Sequence, residues 1–123
     1  MTIFVTSDTH FGHTNIIRYC SRPYTGVEQM NDDLVARWND RVGKADTVYH
    51  LGDVAFTKSD ELYKILSKLN GKIIIVPGNH DKAVHQLWDE NQQGIRDAPF
   101  TLEKPLIEIH HDSTRFILCH FPI

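Results

Sequence analysis

Cysteine is nearly absent. The 123 residues hold only Cys20 and Cys119, too few and too far apart in sequence for a disulfide framework or a four-thiolate zinc site. A reducing compartment fits this usage. No apolar run approaches the ~20 residues needed to span a membrane. The N-terminal Met1-Thr2-Ile3-Phe4-Val5-Thr6-Ser7-Asp8 has neither the basic region nor the long apolar stretch of a secretion signal. The chain therefore reads as cytoplasmic. An excess of positive charge is missing too: thirteen basic against sixteen acidic residues leave a net charge of -3, spread evenly along the chain. Without a basic footprint or an aromatic-basic stripe, a nucleic-acid-binding module is disfavoured and no non-specific nucleic-acid binding is expected. Nucleic acid stays open only as a substrate.

The chain is rich instead in histidine, with eight in 123 residues on an ordinary background of 41% hydrophobic and 24% charged residues. This composition excludes disorder, and the length points to one domain, residues 1–123. Short β-branched or aromatic runs, Ile3–Val5, Val48–Leu51, Ile73–Val76 and Phe116–Cys119, are bounded by Gly, Pro or Asp as buried strands are. Pro105–Ile109 alternates, which suits a further strand with one wetter face. Val27, Met30, Leu34, Val35, Trp38 and Val42 form a helical stripe that Gly43 would end. Leu62, Ile65, Leu66 and Leu69 repeat the pattern, with Ser59 as N-cap and Asn70-Gly71 as a left-handed stop. A shorter helix starts near Asp81 and buries Val84, Leu87 and Trp88. Strand and helix in alternation predict an α/β domain.

Each candidate strand runs into metal-type ligands: Asp8-Thr9-His10, Gly52-Asp53, Gly78-Asn79-His80-Asp81 and His120. In open α/β sheets such strand ends converge on one crevice. The donors suggest a centre for two divalent metal ions. Asp8 and His10, at i and i+2 of extended backbone, would share one ion. The carboxylate of Asp53 would bridge two cations ~3.5 to 4 Å apart, and Asn79 and His120 would hold the second. Oxygen and nitrogen donors without thiolate suit Mn, Fe, Zn or Co. Gly52 and Gly78 allow the sharp backbone turns that aim the next side chain. Any one of these residues alone would more simply be a cap, a turn former or a surface residue; together they outweigh that reading.

In order and strand context these motifs resemble the calcineurin-like metallophosphoesterase superfamily, and Ser7-Asp8-Thr9-His10-Phe11-Gly12-His13-Thr14-Asn15-Ile16 followed by Arg22-Pro23 looks like its small single-domain bacterial and phage branch. The resemblance implies a sandwich of β-sheets flanked by helices. It makes Asp8, His10, Asp53, Asn79 and His120 metal ligands, and His80 the catalytic residue that protonates the leaving group or stabilises phosphoryl charge. A metal-bound hydroxide would attack a phosphomonoester or phosphodiester in line, with a nucleotide among the candidate substrates. The family's closing Gly-His-x-His segment has no counterpart after His120, so the chain reads as C-terminally truncated at Phe121-Pro122-Ile123, with each metal short of one ligand and activity reduced. The runner-up is a degenerate, metal-poor member acting as a binding scaffold.

His13 is read as a substrate contact, with a helix cap as the alternative. Arg22 near Tyr24 is read as a phosphate or nucleobase contact, with a solvated loop charge as its equal alternative. Asp81 would cap its helix or orient a site histidine. His50 is expected in the core, Cys119 buried and structural, and His85, His110 and His111 at the surface or in a strand. Selectivity would reside in the loops Thr14–Gly26 and Gln92–Thr101.

Overall fold

The structure, a computed structural model, describes residues 1–121; Pro122 and Ile123, read above as part of the truncated end, lie outside them. The elements run β1 (Ile3–Thr6), α1 (Thr14–Tyr19), α2 (Val27–Arg41), β2 (Thr47–His50), α3 (Ser59–Ser67), β3 (Lys72–Ile75), α4 (Lys82–Gln92), β4 (Thr101–Leu102), β5 (Leu106–His111) and β6 (Thr114–Cys119). The first four strands form a parallel sheet in the order β1-β2-β3-β4. The α/β class expected from the alternating runs is what the chain adopts. No helix among the described residues is long and apolar enough to cross a membrane.

The strand order is consecutive, and parallel crossovers are as a rule right-handed, which puts the connecting helices on one face; residues of α2, α3 and α4 accordingly share one core cluster. The burial alternates accordingly. Val48, His50, Ile73 and Ile75 are buried, while the row Val5, Tyr49 and Ile74, in register across three strands, is exposed or half-buried. Against the buried row pack Leu62, Ile65 and Leu66 of α3 and Ala83, Val84 and Leu87 of α4, with Leu34, Val35 and Trp38 of α2 at the margin.

Several boundaries differ from the sequence expectation. Ser59 is the first residue of α3, and Lys58 holds the N-cap position. Gly71 has φ +92 and supplies the left-handed stop, whereas α2 ends through extended Val42 (φ -97, ψ 121) without a left-handed Gly43. α1 lies within a segment read as a loop and β4 begins at the last residue of another, because six and two residues are too short to show a period.

The larger correction concerns Phe116–Cys119. It is not a buried strand of the main sheet but half of a separate antiparallel hairpin with β5, and Phe116 and Ile117 are 44% and 39% exposed. The hairpin closes through Asp112 (φ 49) and Ser113 (φ 64), the two left-handed residues of a tight two-residue turn. The strand expected over Pro105–Ile109 is its other half.

His50 is packed in the core as expected. Thr9 Oγ1 donates to the Val54 carbonyl (2.7 Å), so it accepts from His50 Nε2 (3.0 Å), and His50 Nδ1 accepts from the Gly52 N–H (3.1 Å). The ring is thereby neutral with its hydrogen on Nε2. Burial pushes its pKa down to about 4, outweighing the opposing pull of Asp81 and Asp8. The folded value lies below the unfolded ~6.5, so the contribution is complete above that pH and is lost as pH falls toward 4, by about 3 kcal/mol. Urea unfolding at stepped pH should show the wild type losing that much stability relative to His50→Gln between pH 7 and 4. A pH-independent difference would overturn this.

Candidate metal centre

Three loops leave the carboxyl ends of β1, β2 and β3, where a parallel sheet opens its crevice. They are stitched together past the strand ends. Asp8 N–H donates to Gly52 O (2.9 Å), His10 N–H to Asp53 O (3.1 Å), Phe11 N–H to Val54 O (2.9 Å) and Phe56 N–H to Phe11 O (2.8 Å). Asp81 joins the second loop to the third. One carboxylate oxygen accepts from Asp53 N–H (3.0 Å) and Gly78 N–H (2.6 Å), the other from Val54 N–H (2.8 Å), and the side chain is buried. Asp81 stands at the N-cap position of α4 but makes no side-chain cap bond, so neither role expected of it is the one its carboxylate fills.

The two glycines are required by space. A Cβ on Gly52, which has φ +99, would lie 2.4 Å from Gly78 N; one on Gly78 would lie 2.8 Å from the His120 ring and 2.9 Å from Asp53 Oδ1. Three of the expected ligands are themselves left-handed: Asp8 (φ 55), His10 (φ 52) and Asp53 (φ 53). Asp and His tolerate this conformation better than most residues, yet it is uncommon and clusters at functional sites. Asp8 and His10 thus do not reach one side by the extended i, i+2 spacing that the sequence suggested; the backbone is coiled there.

Asp53 is the centre of the group. Its Oδ2 lies 3.8 Å from His10 Nε2 and 3.5 Å from His120 Nε2, and its Oδ1 accepts from His80 N–H (3.2 Å). His10 Nε2 is also 3.5 Å from Asp8 Oδ1. Ligand atoms of Asp8, Asp53 and His120 all lie within 4.8 Å of one another, a grouping able to hold a metal ion. His120 enters from the end of β6, in the other sheet. Its Nδ1 donates to Leu51 O (2.8 Å), which leaves the Nε2 lone pair facing Asp53, the arrangement a ligating imidazole needs. At Asp8 partial burial raises the pKa, but a hydrogen bond from Ser7 and the nearness of His120 and His10 outweigh it, and the net effect is a lowered value.

The rim differs more from expectation. Asn79 and His80 are exposed. Phe56, which the sequence reading missed, stands beside them: its ring lies 4.0 Å from that of His13, 5.3 Å from His10 in near-parallel planes, and 5.2 Å from His80. Only its place three residues after Asp53 could have hinted at this. A depression lined by Phe56, Asn79, His80 and Lys82 opens there. His13 holds the N-cap position of α1, and burial, then His10, Arg22 and His80, keep its pKa below the usual imidazole value. Arg22 is not a solvated loop charge: it donates to the carbonyls of Asp8 (2.7 Å) and Thr9 (2.8 Å), so its fork holds the loop that carries them. Cys119 is half-buried and both cysteines are free, while His85, His110 and His111 are exposed.

The calcineurin-like phosphoesterase family matches residues 1–121. The chain belongs to that family. An uncharacterized protein of Methanocaldococcus jannaschii is 48% identical over 82 residues, 65% of this chain and 47% of that protein. The Gene 66 protein of Mycobacterium phage D29 is 32% identical over 101 residues, 79% of this chain and 45% of its own. A crystal structure of a protein of unknown function from Aquifex aeolicus superposes with a TM-score of 0.75 at 29% identity, covering 99% of this chain and 62% of that one. The chain thus spans about half the length of the curated relatives it matches. Metal-dependent hydrolysis of phosphoesters is the general property of calcineurin-like phosphoesterases, and the Asp and His grouping suits it.

In this family member the Asp81 joint has a measurable weight. Asp81→Asn replaces an acceptor by an amide facing backbone N–H groups, so metal-free protein should lose about 2–3 kcal/mol in urea unfolding. A wild-type midpoint would show that the carboxylate does not hold the loops.

Proposed function

We propose that this chain hydrolyses phosphomonoesters or phosphodiesters, nucleotides among them, at a centre for two divalent cations drawn from Mn, Fe, Zn or Co. Asp8 and His10 would hold one ion, Asp53 would be shared, and Asn79 and His120 would hold the other. The observation that carries the reading is the position of Asp53 Oδ2 between two imidazole nitrogens, 3.8 Å from His10 and 3.5 Å from His120. A carboxylate so flanked has the donors of two ions around it, all nitrogen and oxygen, and no thiolate. When bound, the cations would supply an acidified water as nucleophile and neutralise charge on the phosphoryl oxygens.

The protein's own groups do the rest. His80, exposed beside the centre with its backbone tied to Asp53, is the proposed donor to the leaving-group oxygen. His13 is proposed as a second contact for the phosphoryl group at the same rim. Phe56 walls that rim and gives an aromatic leaving group a surface to lie against.

A metal-poor binding scaffold is the second reading. It is favoured by one observation: among the described residues the His, Cys, Asp and Glu side chains form a single ion-holding group, Asp8, Asp53 and His120, not two.

Metal analysis and an ester panel separate the readings. With Mn, Co, Zn or Fe added, p-nitrophenyl phosphate or bis(p-nitrophenyl) phosphate should be cleaved, and a chelator should stop it. Asp53→Ala should lose both metal and activity. His80→Ala should keep its metal and lose about 10²- to 10⁴-fold in kcat. Metal-loaded protein that cleaves no ester would sink the enzyme reading, and two bound ions per chain would sink the metal-poor one.

A further inference from the structure

We propose that His13 is a positioning residue that fixes the tautomer and ring plane of His10, a task metal sites usually give to a carboxylate or a backbone carbonyl. This rests on the reading of His10 as a metal ligand. His10 turns Nε2 toward Asp8 and Asp53, at 3.5 and 3.8 Å, and its Nδ1 lies 3.1 Å from Nδ1 of His13. At that distance one nitrogen donates and the other accepts. A neutral His10 can face a cation only with its hydrogen on Nδ1, and that hydrogen then goes to His13. His13 is the acceptor, neutral, with its own hydrogen on Nε2. The reverse arrangement puts the His10 hydrogen on Nε2 and closes that nitrogen to a cation.

The juxtaposition is built by the backbone. His13 N–H donates to His10 O (3.0 Å), closing a turn through Gly12, whose φ is +75 and whose N–H is held by Asn31 Oδ1 (2.9 Å). A Cβ at Gly12 would lie 2.8 Å from Thr57 Cβ. Phe56 then fixes the ring planes, with its centroid 4.0 Å from His13 and its plane 5° from that of His10. His10 is 8% exposed, so water has little access to replace His13 at Nδ1.

Zinc is the probe, titrated calorimetrically into the metal-free wild type, His13→Phe and His13→Asn. The phenylalanine keeps the stacking ring without the acceptor. The asparagine places a carbonyl oxygen near the former Nδ1. Zinc affinity should fall about 10- to 100-fold in His13→Phe and return most of the way in His13→Asn. Long-range nitrogen–proton spectra of zinc-loaded wild type should show His10 with its hydrogen on Nδ1 and His13 with its hydrogen on Nε2, a readout that needs no variant to fold. The opposite tautomers, equal affinities in wild type and His13→Phe, or equal losses in both variants overturn the proposal. A change confined to KM assigns His13 to substrate alone and overturns it too. Wild-type protein that takes up no zinc instead refutes the metal reading on which it stands.

Discussion

One buried carboxylate holds the loops at the carboxyl end of the parallel sheet together. Asp81 gathers the backbone N–H groups of Asp53, Val54 and Gly78, which otherwise would have no reason to meet. Hydrogen bonds to an ionised acceptor are the stronger kind, and several on one buried carboxylate offset the cost of taking its charge out of water. The helix that begins at Lys82 adds its positive end to the same carboxylate. With Gly52 and Gly78 pulled into contact, Asp53 has a defined place between His10 and His120. The parallel sheet brings the loops near one another; Asp81 sets the distance between two of them.

That placement stores strain. Asp8, His10 and Asp53 each sit at φ above +50, a conformation that costs of order 1–3 kcal/mol per residue. The offsetting interactions are local and specific: the rungs from Asp8 N–H to Gly52 O and from His10 N–H to Asp53 O, and the Arg22 fork on the carbonyls of Asp8 and Thr9. Arg22 therefore matters through the backbone. The site residues are held before any ligand arrives, which lowers the ordering cost of binding one.

Much of this was legible in the sequence because burial leaves periods. The apolar runs ending at Val5, Leu51 and Val76 and the stripe through Leu62, Ile65 and Leu66 correspond to observed elements, and of the polar residues just beyond the strands Asp8, His10, Asp53 and His120 lie together while Asn79 and His80 stand exposed at the rim. Three kinds of fact were not legible. Left-handed backbone at Asp8 and His10 leaves no trace in side-chain pattern. Contacts that join segments far apart in sequence, such as Phe56 on His13 or Asp81 on Val54, depend on a path the chain takes only when folded. The exposure of Phe116 and Ile117 was misread because a β-branched and aromatic run reports strand propensity, and burial depends on what packs against it.

The hairpin of β5 and β6 carries a consequence of its own. His120 follows β6, yet its ring nitrogen bonds the Leu51 carbonyl and its other nitrogen faces Asp53, so the centre straddles two sheets that share no strand pairing. Gly78 packs against the same ring at a distance no side chain would permit. An ion seated between Asp8, Asp53 and His120 would tie the first loop, the second loop and the hairpin at one point. Binding energy at such a point appears as stability of every segment that contributes a ligand, because only the assembled arrangement binds. The hairpin, with its apolar residues half in water, would gain from that tie, and folding and metal loading would then be one linked equilibrium.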